Sequence, residues 1–275
     1  MSMIEYITFH KQMIDARDLD PYFPFLKAYS DLMQLSTGER INLAFLFAMT
    51  YSAPSACYLH SLMGEMPFDL DFWVSSKYKL VFGPDRMRVK SNDMFLPAWR
   101  DWYKFGAMYT YYHVFKGYNC ACKILQKNIK YMGPFAAGLM VETVMCLCPE
   151  FGLRKETINW AEAKSSGTGL FYVFDIAEIV DVKSLTIVAP KLFMDLYKEM
   201  VRLQTTDEYM SLFNLESTLC IYKNYKRGHR WVGYYIERQR QELVKMEQKY
   251  PEWNWGWAWD FREEYFAKQY LRELD

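Results

Sequence analysis

Apolar residues recur three and four apart through most of the chain, a spacing that predicts helices. Thr37-Gly38-Glu39-Arg40 opens one helix, whose apolar positions run through Leu43, Phe47 and Met49. Pro54-Ser55-Ala56 starts the next, with Ala56, Leu59, Leu62 and Met63 inward. The uncharged stretch Ile41–Gly64 therefore reads as two buried helices broken at Ser52-Ala53-Pro54, not as a membrane span. Trp99, Tyr103, Met108, Tyr111 and Phe115 mark an aromatic helix over residues 96–115. Further helices are expected over 117–129, 134–147, 191–204, 207–226 and 231–249, the last of them long and charged. Lys79–Phe82, Phe171–Phe174 and Leu185–Val188 suit short strands, but nothing around them supports a sheet. The expected class is all-α. Turn-rich joints fall at Gly64–Asp71, Gly83–Asp93 and Cys148–Gly169, none long enough for a free linker. One domain over residues 1–275 is expected, as a single unit or two intimate lobes.

One joint is sharper than the rest. Lys130-Tyr131-Met132-Gly133-Pro134-Phe135 ends a lysine-bearing helix and starts a small-residue helix at once. Gly133 can take the left-handed angles a tight hairpin often needs, so a valine there is expected to distort the turn. Pro134 suits the first turn of a helix because its missing N–H had no partner there. The free N–H groups of the new helix, with Lys127 and Lys130 beside them, could seat a phosphate. This is the layout of a helix-hairpin-helix, which grips a nucleic-acid backbone without reading its sequence. An ordinary corner between two helices has the same pattern.

Lys+Arg equals Asp+Glu at 33 each, so non-specific wrapping of DNA is not indicated and any nucleic-acid face must be local. Apolar residues make up 51% of the chain, well above a disordered composition. The six cysteines form no C-x-x-C pair. Cys120, Cys122, Cys146 and Cys148 sit in apolar helical context, where free cysteine is a small core residue rather than a zinc ligand. Reduced thiols and the absence of a basic-then-apolar leader at the N-terminus point to the cytosol.

Four segments carry candidate chemistry. The first, Lys77–Asp93, holds five cations around Gly83-Pro84. Arg86 and Arg88 alternate, so an extended segment would project both to one side. With Lys90 and Asn92 they are candidates for phosphate contacts, since guanidinium groups suit phosphate oxygens; a solvated basic loop is the alternative. The second, Ser165-Ser166-Gly167-Thr168-Gly169, could cradle an anion or could simply connect. The third places Glu216, Cys220 and Lys223 on one helix face, and Tyr234 and Arg238 four apart on the next helix. These could form a polar pocket floor, or Glu216 could be a structural partner of Lys223 or Arg238. The fourth, Trp253-Asn254-Trp255-Gly256-Trp257-Ala258-Trp259, could stack bases but better suits a packed cap.

Taken in order, Tyr51-Ser52-Ala53-Pro54-Ser55-Ala56, Arg88–Asp93, Gly133–Ala137, Trp160 with Gly167-Thr168-Gly169-Leu170, Leu215–Cys220, Gly233–Arg238 and Trp259–Arg262 resemble the amino acid:DNA transferases of bacteriophages. That family is also called alpha-glutamyl/putrescinyl thymine pyrophosphorylase, and the resemblance runs over the whole chain. It implies a helical fold related to helix-hairpin-helix DNA glycosylases. It also implies replacement of the pyrophosphate on 5-pyrophosphoryloxymethyluracil in double-stranded phage DNA by an amine, from an amino acid such as glycine or from a polyamine. The implied setting is the cytoplasm of the infected bacterial host, with no membrane partner.

Glycosylases usually carry a catalytic Asp roughly twenty residues after the hairpin glycine. Leu153 stands there, with Glu150 and Glu156 nearest, so base excision fits less well than substitution at the exocyclic carbon. On residue type and place, Glu142, Glu216, Tyr234 and Arg238 are the catalytic candidates, and Glu216 is expected to orient or deprotonate the amine. Arg86, Arg88, Lys90, Asn92, Lys127, Lys130, Gly133, Gly167 and Gly169 are the candidates for phosphate, and Trp160 for base stacking. A divalent metal ion could share the pyrophosphate charge, although no metal ligands are assigned. A glycosylase acting on a modified base and a non-catalytic binder of modified DNA are the competing readings.

Overall fold

The structure is a computed structural model that describes residues 2–63, 91–108, 114–176, 181–203 and 207–271. Every regular element among them is helical. The chain divides into two units.

The first unit comprises residues 1–21, 155–237 and 266–275. It is built from α1 (Ser2–Asp15), α8 (Lys164–Phe174), α9 (Val182–Arg202) and α10 (Leu212–Lys226). Tyr6, Phe9 and Met13 of α1 meet Phe171 of α8 and Leu219 and Tyr222 of α10 in one core. Helix α9 begins well before the expected start at 191 and carries Pro190 in its interior. Asp181 accepts the N–H groups of Lys183 and Ser184, and the buried stripe Leu185, Ala189, Phe193, Leu196 and Met200 carries the helix through the proline.

The Ser165–Gly169 segment lies within α8 rather than in a loop. Its glycines are buried at a close crossing. A Cβ on Gly169 would lie 2.0 Å from the carbonyl oxygen of Leu219 in α10, and one on Gly167 would lie 2.7 Å from a Leu185 methyl. The Gly167 N–H is spent on the Ala163 carbonyl. Gly167 and Gly169 therefore let two helix backbones approach, and they offer no cradle to an anion.

The second unit comprises residues 22–154 and 238–265. Its central helix, α3 (Thr37–Thr50), is buried continuously from Leu43 to Thr50. Ser36 caps α3, reciprocally with Glu39, in a capping box. Around it lie α2 (Tyr22–Leu32), α4 (Ala53–Met63), α5 (Asn92–Met108), α6 (Tyr118–Asn128) and α7 (Pro134–Leu147). The break between α3 and α4 falls at the expected place. Tyr51 ends α3 in the left-handed region, at φ 50° and ψ 32°. Helix α11 (Tyr234–Lys249) starts in the first unit and continues into the second, followed by α12 (Gly256–Tyr265). Trp253, Trp255 and Trp257 pack with Tyr29, Tyr58 and Phe25, as a cap rather than a stacking platform.

Candidate active site

The hairpin forms where the sequence places it, from α6, a turn over 129–133, and α7. Its left-handed residue is Tyr131 at φ 62°, not Gly133, whose φ of −74° and ψ of 175° suit any residue. The expected strain of a valine at Gly133 is therefore absent. Pro134 takes the first helical position, and no side chain caps the N-terminus of α7. Lys123, Lys127 and Lys130 are exposed along the hairpin. The turn lines an open pocket of about 440 Å³, whose lining includes Lys127, Lys130, Tyr131, Gly133 and Asp101. Asp101 accepts the Lys130 backbone N–H at 3.0 Å, so one loop donor is already engaged. Tyr118 of α6 donates to Glu142 of α7 at 2.8 Å, which ties the two hairpin helices together.

A second cluster in the same unit joins Arg238, a candidate from the sequence, to Glu242, which the sequence did not single out. Glu242 of α11 is 6% exposed, and its Oε1 accepts from Arg238 Nε at 3.1 Å. The Arg238 guanidinium lies over the rings of Tyr51, at 4.8 Å, and Tyr22, at 5.6 Å. Burial pushes the Glu242 carboxyl up to about 7, while the Arg238 guanidinium favours its charged form. Tyr51 in turn meets Phe135 of the hairpin edge-on, with ring centroids 5.4 Å apart. Contacts thus run from the exposed hairpin, through one tyrosine, to a buried acid that titrates near neutrality. Such an acid can accept a proton at neutral pH and is a mark of functional sites.

No family model matches the chain, and no curated protein and no solved structure does either.

The remaining candidates make other contacts. Glu216 is paired with Lys155 at 3.0 Å, whose ammonium also lies over Phe213, while Lys223 donates to Ser165 at 3.0 Å. The partners expected from sequence, Lys223 and Arg238, therefore each engage another group. Tyr234 packs edge-on against Trp231 and Tyr235, with the Arg230 guanidinium 3.8 Å above its ring. The half-buried Trp160 ring lies against Phe193. Asn92 is the first residue of α5. Arg86, Arg88 and Lys90 lie outside the described residues. Leu153 is half-buried, Glu156 is exposed, and Glu150 accepts from the Thr37 hydroxyl at 3.1 Å. Among the described residues no group of three or more metal-ligating side chains is assembled. No helix among them is long and apolar enough to cross a membrane.

A second buried carboxylate holds the start of α11. Asp18 accepts the N–H groups of Gly233 and Ile236, each at 2.8 Å. Burial raises it to about 7, against the pull of those N–H bonds. His10, bonded to Thr218 and to the Tyr209 carbonyl, is lowered by burial to about 4, and burial lowers His60 as well.

Raised carboxyls bind protons more tightly in the folded than in the unfolded state, so Asp18 and Glu242 add stability as pH falls through 7. Lowered imidazoles do the reverse once pH drops below the unfolded value near 6.5. The free energy of unfolding should therefore rise from pH 8 to pH 6.5, by on the order of 1 kcal/mol per carboxyl, and the melting temperature with it, and both should then flatten. Glu242→Gln should remove about half of that rise. A melting temperature that is flat or falling between pH 8 and 6.5 would contradict it.

Proposed function

We propose that this protein modifies a thymine-derived base in DNA, replacing the pyrophosphate of 5-pyrophosphoryloxymethyluracil with an amine. The observation that carries the reading is Glu242, a buried acid with a neutral-range pKa, in contact through Arg238 and Tyr51 with a cationic hairpin. An amine attacks only when unprotonated, and a carboxylate titrating near 7 can take the proton that the new C–N bond releases. Lys127, Lys130 and the N-terminus of α7 would hold the flanking backbone. Arg238, next to the acid, offers charge toward a departing pyrophosphate.

The same acid also supports a second reading. A glycosylase needs a buried carboxylate, and Glu242 supplies one that the Leu153 position lacks. The two part on product. Incubation with pyrophosphorylated hydroxymethyluracil DNA and a panel of amino acids and polyamines should yield a new nucleoside in mass spectrometry of the digest. Abasic sites in place of a new nucleoside would establish the glycosylase. Neither product would overturn both.

A further inference from the structure

We infer that Phe135, on the hairpin, is the surface on which a nucleobase displaced from its DNA stack is held, one aromatic ring away from the Arg238–Glu242 pair. The inference rests on the proposed modification of DNA.

Large apolar rings are normally buried, yet Phe135 is 43% and Tyr131 is 41% exposed. Both lie on the hairpin, Tyr131 next to Lys130 and Phe135 just past the turn, and Lys127 and Lys130 are themselves exposed. An exposed apolar ring on a lysine-bearing hairpin fits a partner that is flat and apolar at its centre and anionic at its edges. A displaced base between two phosphates has that chemistry. Asp101, the nearby acid in the pocket at the turn, is turned to the Lys130 N–H.

The geometry also gives such a base a direction. The Phe135 and Tyr51 planes stand at 89°, an edge-to-face pair that cannot cover both faces of either ring. Phe135 thus keeps a face for a flat partner. Tyr51 lies over Arg238, which holds Glu242. A base seated on Phe135 is therefore one ring away from the buried pair. Stacking is tolerant of base identity, so this contact holds a base without selecting it.

The test uses the full-length protein and a duplex carrying one 5-iodouracil opposite guanine, a mismatch that lowers the cost of displacing the base. After irradiation at long wavelength, mass spectrometry locates the crosslinked residue. The crosslink should fall on the peptide that carries Phe135. Phe135→Ala should reduce crosslinking and weaken binding of this duplex roughly tenfold, with Phe135→Trp restoring both. Because the ring is half-exposed, the melting temperature of each variant should stay near that of the parent. If the duplex is bound but the crosslink maps elsewhere and Phe135→Ala changes nothing, the stacking role is wrong and the DNA reading survives. If the unaltered protein binds no duplex, both fall.

Discussion

Glu242→Gln should lower amine transfer by on the order of 100-fold or more while leaving DNA affinity in place. Glutamine keeps the shape of the side chain and can still accept from Arg238 Nε, but it cannot take a proton. Loss of a positioned general base typically costs two to four orders of magnitude in rate. Partial recovery is expected at high pH, where the amine is already neutral and the base is needed less. The opposing account makes Glu242 only the electrostatic partner of Arg238. A buried cation left without its anion then costs roughly 3–5 kcal/mol, and the penalty appears in stability rather than in turnover. Rates measured on the folded fraction, beside a thermal melt, separate the two. A Glu242→Gln protein that melts early but turns over normally would remove Glu242 from the chemistry.

Gly169→Ala should destabilise the protein by about 3 kcal/mol or more, at the upper end of what an added methyl in a packed interior costs. The added Cβ would lie 2.0 Å from the Leu219 carbonyl oxygen, and backbone cannot swing aside as a side chain can. In a chain of this size, a loss of that order corresponds to a fall in melting temperature on the order of 10 °C. Gly117→Ala is the control. Nothing lies within 4 Å of its Cβ position, and its φ of −176° is ordinary extended backbone. Equal melting temperatures for the two variants would show that α8 and α10 do not cross at backbone contact.

The helical class, the hairpin and the α3–α4 break were legible because each is written locally. Pro134 and Pro54 sit in the first turns of their helices, and the apolar spacing is helical through most of the chain. Two features were not legible, for one shared reason. In Ser165–Gly169 and in Glu242, residue type pointed to solvent while tertiary packing turned them inward. Small polar residues and glycines mark loops when read singly, yet they are also what lets two helices touch. The run Tyr234–Lys249 reads as a charged surface helix. Within it and just beyond, however, Ile236, Leu243, Met246 and Tyr250 form a buried stripe, and Gln239 and Glu242 fall on that stripe. A polar residue that shares its register with an apolar stripe was the available signal, and the high overall charge of the helix masked it. The partner of Glu216 was unreadable for a different reason, because Lys155 is 61 positions away in an irregular segment.

Tyr51 carries a consequence for anyone who would engineer this protein. A helix that ends in the left-handed region is most cheaply ended by glycine, and a side-chain-bearing residue there gives up roughly 1 kcal/mol. A stabilisation campaign that corrects helix ends would choose Tyr51→Gly early. The replacement would relax the backbone and delete the ring that lies between Phe135 and Arg238. The packing lost with that ring, against Phe47, Phe135 and Arg238, outweighs the strain relieved, so the variant is expected to be less stable as well as impaired at the proposed site. A rule applied to helix ends alone thus fails at Tyr51, which should be held fixed while the rest of the scaffold is improved.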